Sequence, residues 1–210
     1  MQYAHSRPIR YAGNLYGAMP PRVVERPCTA PTRQVLYADL MATRRGEPAE
    51  EKLARILSSW HLGLGVMPDW LGLGQRTFRK LMDYHFPGFN STMLENPGRS
   101  RDPGRHGETR DLYELLMDNR TRHSLSEAWM ADIIVAGCMG GDHLWQDLGL
   151  WSRADLSSLM EENFFPLARQ NQKDMKWKKF LYRKLCETHG MTACRAPSCD
   201  ACADYAGCHG

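Results

Sequence analysis

The stretch Ser124–Gly141, which reads S-L-S-E-A-W-M-A-D-I-I-V-A-G-C-M-G-G, decides the fold class. Ser124 and Glu127 have the spacing of a capping box, in which each side chain satisfies a backbone N–H group at a helix start. The residues that follow are apolar on most sides of the predicted helix, and such a helix must be surrounded by other elements. The sequence therefore predicts a buried central helix that ends among the glycines at 137–141.

Other helical patterns lie on both sides of this central helix, and no strand-like alternation is longer than four residues. Helical spacing of apolar residues is found over 48–61, 75–86, 108–120, 152–164 and 172–188, with a short helical turn expected within 142–150. Residues 87–107 contain three prolines and four glycines, which predicts a flexible surface loop. We therefore expect an all-α protein built as a compact helical bundle.

The N-terminal residues differ in composition from this bundle. Residues 1–47 contain five prolines and scattered arginines without a sustained apolar period. Such a stretch buries too little apolar surface to offset its ordering entropy, so we expect a disordered tail. The helical domain is expected over residues 48–190 and a cysteine-rich, metal-cluster loop over residues 191–210.

Composition excludes several classes of protein. No run approaches the roughly 18 apolar residues of a membrane span, so we expect no membrane partner. The formal charge of +3 is small, which argues against nucleic acid as a partner. Seven cysteines without a secretory signal favour a reducing compartment, the cytoplasm. We recognise no nucleophile–base pair and no phosphate loop, and therefore expect a protein that is not an enzyme.

Four cysteines lie close together near the C-terminus, where Cys194–Cys208 reads C-R-A-P-S-C-D-A-C-A-D-Y-A-G-C. A loop this short can bring four thiolates to one centre, which predicts a metal ion or a metal–sulfur cluster. Single cysteines on both sides of one C-x2-C pair suit an iron–sulfur cluster, while the C-x2-C pair also suits zinc. The spacing leaves both open, and the odd cysteine count disfavours disulfides. The predicted metal ligands are Cys194, Cys199, Cys202 and Cys208.

Cys138 and His143 form a second possible ligand set, five residues apart at the end of the central helix. A histidine near a cluster could bind a heterometal that is harder than iron. The competing interpretation is a buried cysteine that packs like a small apolar residue and a histidine that caps a turn. Both interpretations stay open at this point.

The last predicted helix carries a basic stripe, which we define as Lys176, Lys179 and Arg183. Cys186 borders the stripe and is a further candidate ligand or part of the cluster environment. Thiolate-bound clusters carry net negative charge, which the stripe could offset. The stripe could instead dock an acidic partner protein. In that case Lys176→Glu with Lys179→Glu should weaken transfer to that partner without removing the cluster. An ordinary solvated charged face is the alternative.

Three runs taken together resemble a known family. They are HLWQDLGL over His143–Leu150, N-x-x-D-M-x-W-K-K-F over Asn171–Phe180 leading to Cys186, and the C-x4-C-x2-C-x5-C motif. Over about Ala128–Cys208 this combination is similar to the nitrogen-fixation family NifQ. No single run would be specific alone.

This resemblance implies a molybdenum–iron–sulfur protein of nitrogenase cofactor assembly. Such a protein holds molybdenum in a cluster and donates it to the NifEN scaffold with NifH, where the iron–molybdenum (FeMo) cofactor is completed. The four cysteines match the family's cluster motif, so the resemblance favours an iron–sulfur cluster containing molybdenum over zinc. The expected role is that of a donor rather than a catalyst.

The alternative interpretation is a zinc- or iron–sulfur-stabilised helical DNA-binding module. Some DNA-repair glycosylases carry a related four-cysteine loop with a longer first gap. This chain lacks the glycine-rich helix–hairpin–helix and the lysine–aspartate pair of those enzymes. Salt-dependent binding to duplex DNA would support this alternative.

Overall fold

The computed structural model describes residues 32–94, 96–100 and 106–188, and every element in these ranges is helical or irregular. The all-α class is therefore confirmed for this part of the chain. No helix in it is long and apolar enough to cross a membrane. The α-helices are α1 (Arg33–Ala42), α2 (Glu50–His61), α3 (Gln75–His85), α4 (His106–Asp118), α5 (Leu125–Cys138), α6 (Leu144–Asp147), α7 (Arg153–Asn163), α8 (Phe165–Ala168) and α9 (Trp177–Thr188).

Helix α5 is the predicted central helix, and the structure confirms its capping box. The Ser124 hydroxyl accepts from the Glu127 N–H at 3.2 Å, and the Glu127 carboxylate accepts from the Ser124 N–H at 2.8 Å. Ile133 and Ile134 are fully buried. α5 packs against α4, α6 and a short 3₁₀ helix at Asp69–Gly72.

Helix α1 corrects the expected disordered tail at 1–47, because residues 33–42 are helical. The Thr32 hydroxyl accepts from the Val35 N–H at 3.3 Å and caps the helix. Leu36 and Leu40 are buried, and α1 packs against α2. This packing on α2 offsets the ordering entropy that the composition of 1–47 suggested would dominate. Residues 1–31 and 191–210 lie outside the described residues.

Helix α9 begins five residues later than the spacing predicted. The Asn171 side chain accepts from the Met175 N–H at 2.9 Å and donates to the Met175 carbonyl at 2.9 Å. Asp174 has a left-handed backbone, with φ of 47°. Asparagine side chains compete with helical hydrogen bonding in this way, so the turn displaces the helix start to Trp177.

Residues 96–100 correct the predicted flexible loop in part. The Arg99 guanidinium donates to the Gly65 carbonyl at 2.6 Å and to the Gly63 carbonyl at 2.8 Å. The Arg99 N–H donates to the Asp69 carboxylate at 3.0 Å, and the Asp69 N–H donates to the Arg99 carbonyl at 2.8 Å. Because these bonds join segments about thirty residues apart, this part of the predicted loop is held against the segment 63–69.

A buried histidine lies between α3 and α5. His85 is 1% exposed, and its Nε2 is 2.9 Å from the Ser126 hydroxyl. Its Nδ1 lies 3.5 Å from a Glu50 carboxylate oxygen that already accepts from the Arg45 N–H. Burial lowers the pKa of His85 to about 4, with Glu47 raising it and Arg45 lowering it. The imidazole is therefore neutral at physiological pH.

This depressed pKa predicts a pH-dependent stability. Unfolded histidine binds a proton near pH 6.5 and the buried one near pH 4, so stability should fall as the pH decreases between these values. From pH 7 to pH 5 we expect a loss of about 2 kcal/mol from this group. His85→Gln should remove that loss, as measured by urea unfolding at both pH values. Equal losses in the wild type and the variant would contradict the assignment.

Candidate functional site

The first turn of α9 carries a buried lysine that reaches the end of α5. Lys178 Nζ donates to the Gly140 carbonyl at 2.8 Å and to the carboxylate of Asp147. The Lys178 side chain is 8% exposed and the Asp147 side chain 1% exposed. This buried ion pair joins α9 to the α5–α6 loop and to α6, across 31 residues of sequence.

The electrostatic state of this pair depends on Lys178. Burial raises the pKa of Asp147, and the hydrogen bond and charge of Lys178 lower it. The charge of Asp142 raises this pKa, while a backbone hydrogen bond from Asp142 lowers it. Among the residues that the structure describes, Asp147 Oδ1 meets the criteria for a hydrogen bond with none. A buried carboxylate with only one satisfied oxygen relies on its cation, so the pair is a point where one substitution should have a large effect.

Two glycines allow α6 to lie directly against the end of α5. A Cβ at Gly140 would be 2.4 Å from the carboxylate carbon of Asp147. A Cβ at Gly137 would be 2.7 Å from Leu148 Cδ2. The HLWQDLGL run therefore supplies packing as well as charge, because Leu148 is fully buried against this helix end.

Cys138 and His143 border the loop that Lys178 contacts, but they differ in exposure. Cys138 is the last residue of α5 and is 1% exposed. His143 is exposed, and its side chain makes no capping hydrogen bond. Its carbonyl accepts from the N–H groups of Gln146 and Asp147 at 2.8 and 3.0 Å. The backbone of His143, rather than its imidazole, therefore holds the start of α6.

Cys186 lies on α9, eight residues after Lys178, which is about 12 Å along the helix axis. It is 7% exposed. Cys194, Cys199, Cys202 and Cys208 lie outside the described residues. Within the described ranges no group of three or more His, Cys, Asp or Glu residues is placed to hold a metal ion. The ligand set thus stays a prediction from the sequence.

The basic stripe has a mixed environment. Trp177 and Leu181, predicted on the opposite side of α9, are buried. Lys176 and Lys179 are half-buried. Arg183 is exposed and donates to Glu187 at 2.9 Å, and Lys184 donates to the same carboxylate at 2.8 Å. These bonds lower the pKa of Glu187, Lys184 contributing first. Partner docking by the stripe stays a prediction.

Sequence reasoning did not identify Lys178 and Asp147 as a pair, although a signal was present. Lys178 lies three residues before the buried Leu181, on the side of α9 that faces the core. Asp147 lies three residues after the buried Leu144, on the corresponding side of α6. A charged side chain at a core-facing position needs a buried partner of opposite charge. Lys178 and Asp147 are each other's partner.

Comparison with known proteins identifies the family. A sequence model of the NifQ family matches residues 52–210, about three quarters of this chain. The chain belongs to the NifQ family. Residues 52–210 include all of the candidate ligands and the whole basic stripe, and leave α1 outside the match.

Individual NifQ proteins are similar over most of their length. The chain is 42% identical over 168 residues to Protein NifQ of Azotobacter vinelandii, which covers 75% of this chain and 86% of that protein. It is 35% identical over 178 residues to Protein NifQ of Rhodobacter capsulatus, covering 82% and 96%. It is 34% identical over 177 residues to Protein NifQ of Klebsiella pneumoniae, which covers 77% of this chain and 98% of that protein. No solved structure matches the chain. NifQ proteins are implicated in nitrogen fixation.

Proposed function

We propose that this member of the NifQ family carries a molybdenum–iron–sulfur cluster and donates its molybdenum for biosynthesis of the nitrogenase iron–molybdenum cofactor. The observation that carries this proposal is the C-x4-C-x2-C-x5-C motif at Cys194–Cys208 in a chain that belongs to this family. The cluster is cargo, so the protein is a donor and not an enzyme. Cytoplasmic NifEN with NifH is the proposed acceptor.

The donor set suits this cargo chemically. Cysteine thiolates are soft ligands that bind iron–sulfur clusters, and four of them within fifteen residues can surround one cluster. Cys194 follows the last residue of α9 by six positions, and six residues span at most about 20 Å. The first of the four cysteines therefore lies within about 20 Å of the end of α9.

Two of the additional ligand candidates, Cys138 and His143, differ in accessibility. Cys138 is buried at the end of α5, which suits packing. The imidazole of His143 is exposed. Imidazole is a harder ligand than thiolate, so His143 is the candidate better suited to the molybdenum side of the cluster. Lys176 and Lys179 would offset the negative charge of the thiolates.

The proposal is tested by purifying the protein without oxygen and measuring iron, molybdenum and zinc together with the absorption of the cluster. We expect iron and molybdenum in the same protein fraction. The protein is then added to apo-NifEN with NifH, and mature cofactor is measured. The yield of a donor rises with the amount of loaded protein added and stops when the cargo is used. A protein that contains zinc but neither iron nor molybdenum would contradict the proposal. Cofactor formation that continues with free molybdate after the cargo is used would indicate a catalyst.

A further inference from the structure

The outer side of α3 carries exposed cations that form no ion pair with the described part of the chain. Arg76, Arg79 and Lys80 are exposed and lie on one face, at the i, i+3 and i+4 positions of the helix. Within residues 32–94, 96–100 and 106–188, no carboxylate forms an ion pair with any of the three. Other surface cations do form ion pairs: Arg110 with Glu114, Arg153 with Asp174, and Arg183 with Glu187.

The positive surface continues past the end of α3. The Arg45 guanidinium lies 4.7 Å from the centre of the Tyr84 ring, and Tyr84 is one helical turn after Lys80. Arg44 is exposed beside it. Two acidic residues belong to the same region, Glu47, which accepts from the Tyr84 hydroxyl at 3.2 Å, and the exposed Asp83. We define the α3 cationic face as Arg44, Arg45, Arg76, Arg79 and Lys80.

The core holds this face in a fixed position. On the opposite side of α3, Phe78, Leu81 and Met82 are each 1% exposed. The Phe78 ring packs against Trp60 of α2 with 5.4 Å between ring centres. Because α3 is anchored in this way, its cations project from a fixed backbone rather than from a flexible basic tail, and less backbone entropy is lost on binding.

We propose that the α3 cationic face docks an acidic surface of the protein that accepts the cargo. The identity of that acceptor rests on the proposed function, whereas the face itself is defined by the charges above. Unpaired like charges repel one another in the free protein, and an acidic partner relieves this repulsion and steers association. Recognition of this kind acts chiefly on the association rate.

The charge pattern favours a protein over other anionic partners. Asp83 lies between Arg79 and Lys80 in the angular order around α3, and Glu47 lies beside Arg45. A phosphate backbone has only negative groups and would meet these carboxylates unfavourably, while a protein surface can match both signs. All of α3 is described, and it exposes no large apolar side chain of the kind that amphipathic helices insert into lipid.

The test compares two variants of the full chain that change the net charge equally. Arg76→Glu with Lys80→Glu reverses two of the five cations of the face, and Arg169→Glu with Lys173→Glu reverses two exposed cations elsewhere. Association with purified NifEN and NifH is measured at low and high salt. We expect the first variant to associate about tenfold more slowly at low salt, with a smaller difference at high salt. The control should stay within about twofold of the wild type.

Further arms separate this proposal from its competitors. Lys176→Glu with Lys179→Glu is the third arm of the test. Docking through α3 predicts that this variant slows association no more than the control does, whereas docking through the basic stripe, as the sequence suggested, predicts slowing by this variant alone. Three results would overturn the proposal: no association of the wild type, equal slowing by the control, or slowing by the stripe variant alone. Loss of duplex DNA binding in the α3 variant, with unchanged protein association, would assign the face to nucleic acid instead.

The failure of docking and the failure of the proposed function can be told apart. Metal content is measured on the same samples, and association is recorded for loaded and unloaded protein. Salt-sensitive association through α3 in a protein without molybdenum would support docking and contradict the donor function. If both loaded variants transfer molybdenum equally well and associate at equal rates, the result would support the donor function and contradict docking through α3.

Discussion

Cys199→Ser is expected to abolish molybdenum transfer while the helical core stays folded. Cys199 belongs to the C-x2-C pair at the middle of the motif, so the substitution removes one of four predicted thiolate ligands. Loss of a residue that only supports a metal ligand already costs roughly 10- to 100-fold in affinity or activity. Loss of a direct ligand should cost at least as much, so transfer should fall to the background of the assay.

The folded state should survive this change because the core is assembled elsewhere. Residues such as Leu53, Ile133 and Leu159 are fully buried among helices α2, α5 and α7. Circular dichroism should therefore change little, while the iron and molybdenum contents and the cluster absorption decrease together. Cys28→Ser is the matched control, since Cys28 precedes the matched region 52–210 and should be dispensable.

Two outcomes would count against this prediction. A general loss of helical signal in Cys199→Ser would mean that the motif stabilises the fold, as a structural zinc site does. Undiminished transfer would mean that Cys199 is not a ligand. In either case the control shows whether the loss of any thiol has the same effect.

Lys178→Met is expected to destabilise the protein by about 3–5 kcal/mol, the usual cost of leaving a buried charge without its partner. The substitution would leave the Asp147 carboxylate, 1% exposed, without its cation, and would remove a donor from the Gly140 carbonyl. Asp147→Leu should have a comparable effect because it leaves the ammonium group buried. Urea unfolding of the wild type and the variants measures these differences.

The double variant Asp147→Leu with Lys178→Met distinguishes an ion pair from ordinary packing. If the two charges satisfy each other, the double variant should be more stable than either single variant, because no unpaired charge remains buried. Arg153→Met is the control, since Arg153 and Asp174 form an exposed pair whose loss should cost less than about 1 kcal/mol. Strictly additive losses in the double variant would contradict the coupling.

Local signals in the sequence predicted much of the bundle. The Ser124–Glu127 capping box and the apolar run after it located α5. Ser152 with Asp155 located the start of α7 in the same way. These signals act within one helical turn, so they can be read without knowledge of the fold. The failure at α1 arose because its deciding partner was distant, since α1 packs on α2. The late start of α9 has a local cause, the Asn171 turn, which apolar spacing does not indicate.

The sequence by itself determined the helical class, the family, and the cysteine motif on which the proposed cargo depends, because helix caps, apolar spacing and ligand spacing are short-range properties. Only the tertiary structure decided that Lys178 and Asp147 form a buried pair and that Arg99 clamps a distant loop. The same is true of the cations of α3, which remain without acidic partners among the described residues. Pairing depends on which side chains the fold brings within a few ångströms of each other, and no local pattern contains that information.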